Sequence, residues 1–229
     1  MSDRSVTQAE LARWAESLAA IARTGMGFTE SLYERERYEE ILKVAADIRS
    51  RFDGDHTEEV FVAEWMRCVG QGVAGYVTPK VAVGAVVGND LGQILLVQRS
   101  DSLVWLYPTG WADVGYSLSE VVVKEVEEET GIECEPLHVM SIVDGLRMGF
   151  TKTPMHMVVF HCRATGGSIQ RHPLETADAG WFDFDALPTP MPGAQWWLPS
   201  ARAAIHGEQR VATTFEMPRH PMWRGDPAS

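Results

Sequence analysis

The stretch from Tyr107 to Ile132, YPTGWADVGYSLSEVVVKEVEEETGI, constrains this chain more than any other. It opens with Pro108-Thr109-Gly110, which predicts a turn, and passes through a loop with Gly115 as a further turn residue. A helix with marked ends follows. Ser117 with Glu120 three residues on predicts a capping box, and Gly131 stands where a helix stops. Leu118, Val121, Val122 and Val126 fall at i, i+3, i+4 and i+8, the spacing of a stripe that faces a core. Glu125, Glu128 and Glu129 fall at i, i+3 and i+4, within an arc of about 100° that avoids most of the valines. Like charges this close repel, at ~0.2–0.5 kcal/mol per pair. A hard divalent cation such as Mg²⁺ removes that cost, because it binds carboxylate oxygens and keeps waters that substrate phosphates can replace. A solvated acidic face is the other reading of the run.

The setting favours the cation. Trp105 to Gly110, a five-residue gap, and then KEVEEETGI resemble the Nudix box, G-x5-E-x7-R-E-U-x-E-E-x-G-U with U aliphatic. Gly110, Glu125, Val126, Glu128, Glu129, Gly131 and Ile132 match it in register. The resemblance implies a Nudix fold: an α/β/α sandwich around a mixed β-sheet. It also implies Mg²⁺ as cofactor, with Mn²⁺ as a substitute. By position, Glu128 and Glu129 become metal ligands, Glu125 a ligand or base, and the Thr109 carbonyl a further ligand, with Glu129 also counted among the catalytic residues. Three departures bear on activity. Tyr116 stands where the family has a glutamate, Lys124 where it has an arginine, and Thr109 where it usually has a glycine. Lys124 keeps the positive charge but not the bidentate fork, so it orients Glu125 less firmly.

Charge and cysteines narrow the classes. With 20 basic against 32 acidic residues the net charge is −12, which argues against general nucleic-acid binding. Cys68, Cys134 and Cys162 are widely spaced and odd in number, so neither a disulfide framework nor a zinc site is indicated. MSDRSVTQAE lacks the layout of a signal peptide, and no apolar run is long enough to span a membrane. The expectation is a cytoplasmic protein with no membrane partner.

Residues 1–70 read as a small all-α domain. Leu11, Trp14, Ala15, Leu18, Ala19 and Ala22 make one helical stripe, ending near Gly25-Met26-Gly27. Ser31 and Glu34 predict another capping box, ahead of a stripe at Tyr38, Ile41, Leu42, Ala45, Ile48 and Phe52. A shorter helix starts at Thr57. ELARWAESLAAIARTG followed by YERERYEEILKVAADI resembles the helical extension ahead of some bacterial Nudix domains, among them pyrophosphatases acting on CDP-choline and ADP-ribose. Apolar stripes of this kind also suit a homodimer contact. Gly-rich residues 71–80 read as a linker, residues 81–210 as the Nudix domain and residues 211–229 as an irregular tail.

Within the second domain, Val81–Val87 and Gln93–Gln98 predict a hairpin around Gly88-Asn89-Asp90-Leu91-Gly92. Pro136–Val143, Met155–Arg163 and Gly180–Phe184 read as strands, and Gln195–Ile205 as a helix. Trp196 and Trp197 are expected to pack. The hairpin leads through Arg99 and Trp105 into the box, and both, with Gly110, are candidates for substrate contact. The loop from Asp144 to Pro154 is long for a connection, which makes Arg147 and Lys152 candidates for phosphate binding. Glu175 is a candidate base from the loop before a strand, with Asp178 competing. No Ser-His-Asp or Cys-His arrangement is visible.

The expected activity is a Mg²⁺-dependent pyrophosphohydrolase that cleaves a nucleoside diphosphate linked to another group, CDP-choline or ADP-ribose or similar. The competing reading is a degenerate Nudix domain that binds a small-molecule nucleotide without cleaving it. A plain oligomeric scaffold leaves the three-glutamate face unexplained.

Overall fold

Helix signals and strand runs resolve into two compact units in the computed structural model, which describes residues 6–52, 56–70, 77–113, 116–207 and 212–216. One unit comprises Met1–Lys80 with Asp144–Met155, the other Val81–Val143 with His156–Ser229. Residues 71–76 of the expected linker, Gly115 and residues 217–229 of the expected tail lie outside the described residues.

The first unit is helical. Its first helix, α1 (Gln8–Phe28), starts at a capping box in which the Thr7 hydroxyl accepts from the Glu10 N–H and the Glu10 carboxylate accepts from the Thr7 N–H. It ends at Phe28, one residue past Gly25-Met26-Gly27, near where it is expected to stop. Gly25 lies against the ring of Tyr38 on α2 (Leu32–Ser50), so this glycine also serves close helix packing. At the start of α2 only half of the expected capping box forms. Ser31 Oγ accepts from the Glu34 N–H at 3.3 Å, but the Glu34 carboxylate takes the Thr29 hydroxyl. With α3 (Glu58–Arg67), these helices bury Ala19, Ala22, Met26, Leu42, Ala45, Ala46, Phe61 and Trp65 together. Buried Glu16 and half-buried Arg49 form an ion pair within the unit. The segment after Asp144 belongs here and contains one helical turn, α5 (Gly145–Met148).

The second unit is built on a seven-stranded sheet. Its first strand, β1 (Lys80–Gly88), turns at Asn89, whose Oδ1 accepts from the Leu91 and Gln93 N–H groups, and returns as β2 (Ile94–Arg99). Alternation then sorts the residues by face. Val83, Ala85, Val87 and Leu95 pack with Val121, Val122 and Val126 of α4 (Leu118–Thr130). Val86, Ile94 and Leu96 pack with Ala201 and Ala204 of α6 (Ala194–Ile205) on the other side. Two helices on opposite faces of one sheet make the α/β/α sandwich that the resemblance implies. Of the paired tryptophans in α6, Trp197 packs edge-on against Tyr107 as expected, but Trp196 is 70% exposed.

The sheet forks. Beyond β2, the chain forms β3 (Trp105–Leu106), which pairs with Val97 and Gln98, and then crosses to β4 (Thr109–Trp111), which pairs with Ala82, Val83 and Gly84 of β1. Pro108-Thr109-Gly110, expected as a turn, is therefore the entry to a strand, because β1 offers it hydrogen bonds: the Ala85 N–H donates to Pro108 O at 2.9 Å. In β1, β2 and β4 the paired groups fall on odd residues of β1 on both sides of the fork, so β2 and β4 share one edge of β1. The remaining strands are β5 (Ile132–Asp144), β6 (Met155–Gly167) and β7 (Thr176–Phe182), with β6 beside β1, β5 outermost and β7 along β2. Part of the expected tail is anchored, since Thr214 bridges in parallel to Ser141 of β5.

Candidate active site

The end of the fork is where α4 presents its glutamates. That helix is held as its sequence predicts: the Ser117–Glu120 capping box is complete, and Gly131 caps the far end in the left-handed region at φ 72°. With the valines fixed against the sheet, Glu125 and Glu129 are turned toward β4. Gly110 lies so close to the Glu125 carboxylate that any side chain at position 110 would occupy the carboxylate's own space. The Thr109 N–H donates to Glu129 Oε2 at 3.1 Å. Thr109 pairs with Gly84 at a position whose N–H and C=O both point away from β1. Its carbonyl therefore opens on the same side as the N–H that holds Glu129.

Burial and crowding set the charge state. Burial, with Glu128, Glu175 and Asp113 nearby, pushes Glu125 up to about 7 despite the adjacent Lys124. Burial, with Glu125 and Glu175, pushes Glu129 up to about 8, against the Thr109 N–H and Arg99, which favour the anion. Two carboxyls with raised proton affinity and a strand carbonyl beside them form an oxygen donor set that suits a hard cation. Among the described residues no three His, Cys, Asp or Glu side chains converge as a ready cluster. Glu128, expected as a ligand, is held apart: it is exposed, and its Oε2 lies 3.5 Å from Lys124 Nζ. The residues present fit a divalent cation once Glu128 turns inward.

The other candidates fall in three groups. Arg99, at the end of β2, is gathered into the site, where Glu129 and Glu175 both feel its charge. It is already bidentate to Asp101, at 3.0 and 2.7 Å. Glu175 enters from the segment before β7, whose backbone is fixed to the same corner by the Ser100 N–H donating to Glu175 O at 3.0 Å. Asp178 lies further along β7 opposite Gln98, and its Oδ1 accepts from the next N–H. Trp105 is not a free surface: it is buried edge-on against Phe182. Arg147 and Lys152 belong to the helical unit. Lys124 contacts Asp113 at 2.8 Å and Glu128 rather than fixing Glu125.

Two participants escape the sequence reading. Asp101 carries a local signal, two residues from Arg99 in a tight turn. Asp113 carries none, because its ion pair with Lys124 depends on the path of the loop after β4. All three cysteines are free thiols, as expected, and Cys134 and Cys162 are buried.

The comparisons agree with this geometry. Residues 78–201 match the family model described as NUDIX domain, and residues 9–61 match one described as UDP-X-like, N-terminal oligomerisation domain. The chain belongs to the Nudix hydrolase family. It is 34% identical over 176 residues to YjhB of Bacillus subtilis (strain 168), a protein provisionally named an ADP-ribose pyrophosphatase, covering 76% of this chain and 81% of that one. It is 33% identical over 106 residues to Nudix hydrolase 10 of Arabidopsis thaliana, spanning 46% of this chain and 38% of that protein. The solved structure of a UDP-X diphosphatase is similar over 91% of this chain and 100% of its own, with TM-score 0.54 and 25% identity. Among the described residues no helix is long and apolar enough to cross a membrane.

The raised carboxyls predict a pH signature. Between 4.5 and about 8 the folded protein retains protons on Glu125 and Glu129 that the unfolded chain releases. Unfolding then releases protons, so stability is highest below this window and falls as pH rises through it. Thermal melts without divalent ions should shift down from pH 5 to pH 8, and added Mg²⁺ should restore most of the loss at pH 8. A melting temperature that rises across that window would contradict the placement of these two groups.

Proposed function

We propose that this chain is a Mg²⁺-dependent pyrophosphohydrolase acting on a nucleoside diphosphate linked to a second moiety, releasing a nucleoside monophosphate and a phosphorylated product. The observation that carries the reading is the meeting of Glu125, Glu129 and the Thr109 backbone at the fork, with Arg99 and Glu175 beside them. Hydrolysis of a phosphoanhydride spreads charge over phosphoryl oxygens and requires positioned cations and an aligned water more than a strong nucleophile. Glu125, Glu128, Glu129 and the Thr109 carbonyl are the groups that would hold Mg²⁺, which supplies positive charge to the diphosphate and acidifies water.

The chain's own residues divide the remaining work. Gly110 leaves the space in which the Glu125 carboxylate lies, and the Thr109 N–H fixes the rotamer of Glu129. Arg99 brings a guanidinium to the phosphate side, oriented by Asp101. Glu175, which remains exposed, accepts the proton of the attacking water as its oxygen bonds to phosphorus and the P–O–P bridge breaks. Substrates of the adenosine and uridine diphosphate type come first, on the strength of the names carried by YjhB and the UDP-X diphosphatase. The N-terminal match, together with exposed Ile21, Leu32 and Val44 on α1 and α2, supports a homodimer built through the helical unit.

Two observations favour the non-hydrolytic reading: Glu128 is paired with Lys124, and the carboxylate at box position 116 is replaced by an exposed Tyr116. A single assay separates the two. Release of nucleoside monophosphate is measured from ADP-ribose, UDP-sugars, CDP-choline, dinucleotides and nucleoside triphosphates with Mg²⁺ and with Mn²⁺. Loss of a metal-orienting group in other enzymes costs 10–100-fold, so removing a ligand in Glu129→Gln should lower turnover by about 100-fold or more. Metal-independent release, or a fully active Glu129→Gln protein, would overturn the assignment. Tight nucleotide binding without turnover would establish the binder.

A further inference from the structure

We propose that Asp113 is a positioning residue for the cation site: by taking the shorter contact with the Lys124 ammonium, it competes with Glu128 for that charge and eases the release of Glu128 to the divalent ion. This rests on the reading of Glu125, Glu128 and Glu129 as the cation-binding face.

Lys124 is placed where it can obstruct. It directly precedes Glu125 and lies one helical turn before Glu128, and its Nζ is 3.5 Å from Glu128 Oε2. Left with only the glutamates as partners, an ammonium here would neutralise a carboxylate on which the divalent ion depends. Asp113 supplies the competing partner from a different element. Its Oδ2 is 2.8 Å from Nζ, the shorter of the two contacts, and the bond has good charge-assisted length. The i,i+4 contact to Glu128 also has the less favourable order, with lysine N-terminal to glutamate.

The backbone around Asp113 is fixed by the sheet. The preceding residue, Ala112, donates its N–H to Val81 O at 3.0 Å, continuing the pairing of β4 with β1, and the Tyr116 N–H donates back to Asp113 O at 3.4 Å. The acid therefore hangs from the end of the strand that also carries Thr109 and Gly110. One strand end bonds Glu129, accommodates Glu125 and offers Lys124 a partner that competes with Glu128. This gives the substitutions at 116 and 124 a common account. A carboxylate three residues before Tyr116 supplies the missing acid. A single oxygen of Asp113 is engaged, which a point-charge ammonium satisfies without a guanidinium fork.

Asp113 is exposed and Lys124 only half-buried, so their replacement leaves the fold intact and the expected effect is modest. The test is Mg²⁺ binding by isothermal titration calorimetry at low ionic strength, on wild type, Asp113→Asn, Lys124→Met and the double variant. Asp113→Asn should weaken Mg²⁺ binding about three- to fivefold. Adding Lys124→Met should bring affinity back to within about twofold of wild type. Asp113→Glu should retain most of the affinity. Asp113→Asn binding as tightly as wild type, or a double variant as weak as Asp113→Asn, would overturn the role of Asp113 alone. A wild-type protein that binds no divalent ion would overturn the reading of the glutamate face with it.

Discussion

Glu125 and Glu129 are kept half-buried against a strand that lies close along both carboxylates, and the rest of the second unit is arranged around that approach. Buried carboxylates repel and lose hydration, so the protein holds them only because other energies hold the backbone. Val121, Val122 and Val126 pin α4 to the sheet, and the complete capping box with the left-handed Gly131 fixes its ends. The fork between β3 and β4 then delivers Thr109 and Gly110 to the carboxylates. The resulting excess of negative charge is the property a hard cation would relieve, and it is local: the chain's overall charge of −12 does not require it.

The parts of this site that follow from local rules were legible in the chain. Helix α4 has capping residues, a valine stripe and a glycine stop, and each acts through neighbours within a few positions. The β1–β2 hairpin was legible for the same reason, since Asn89 and Gly92 carry the turn themselves. The fork was not. Whether Pro108-Thr109-Gly110 forms a turn or enters a strand depends on β1, about 25 residues earlier, offering free hydrogen-bonding groups, and no local pattern encodes that. Asp113 and the burial of Trp105 depend on the same crossing.

Gly25 and Gly110 show how one residue type carries different information. Gly25 stands in the last turn of α1, as a glycine near a helix stop would, and it also makes room for the Tyr38 ring. Gly110 reads as a turn residue, yet its use is to give space to a carboxylate. In both cases the missing Cβ matters for what approaches, not for the backbone dihedral. The long connection after Asp144 makes a similar point. Its length reads as functional, and its grouping with the helical unit is a tertiary property that no local pattern encodes.

The central claim is that the confined carboxylates of α4 and the Thr109 carbonyl form one cation site. The most direct measurement is anomalous diffraction from crystals grown with Mn²⁺, collected near the manganese edge. The account predicts a peak within coordination distance, about 2.0–2.2 Å, of oxygens from Glu129 and at least one of Glu125, Glu128 and the Thr109 carbonyl, with Glu128 turned away from Lys124. Peaks confined to other surfaces, or none at saturating Mn²⁺, would contradict it.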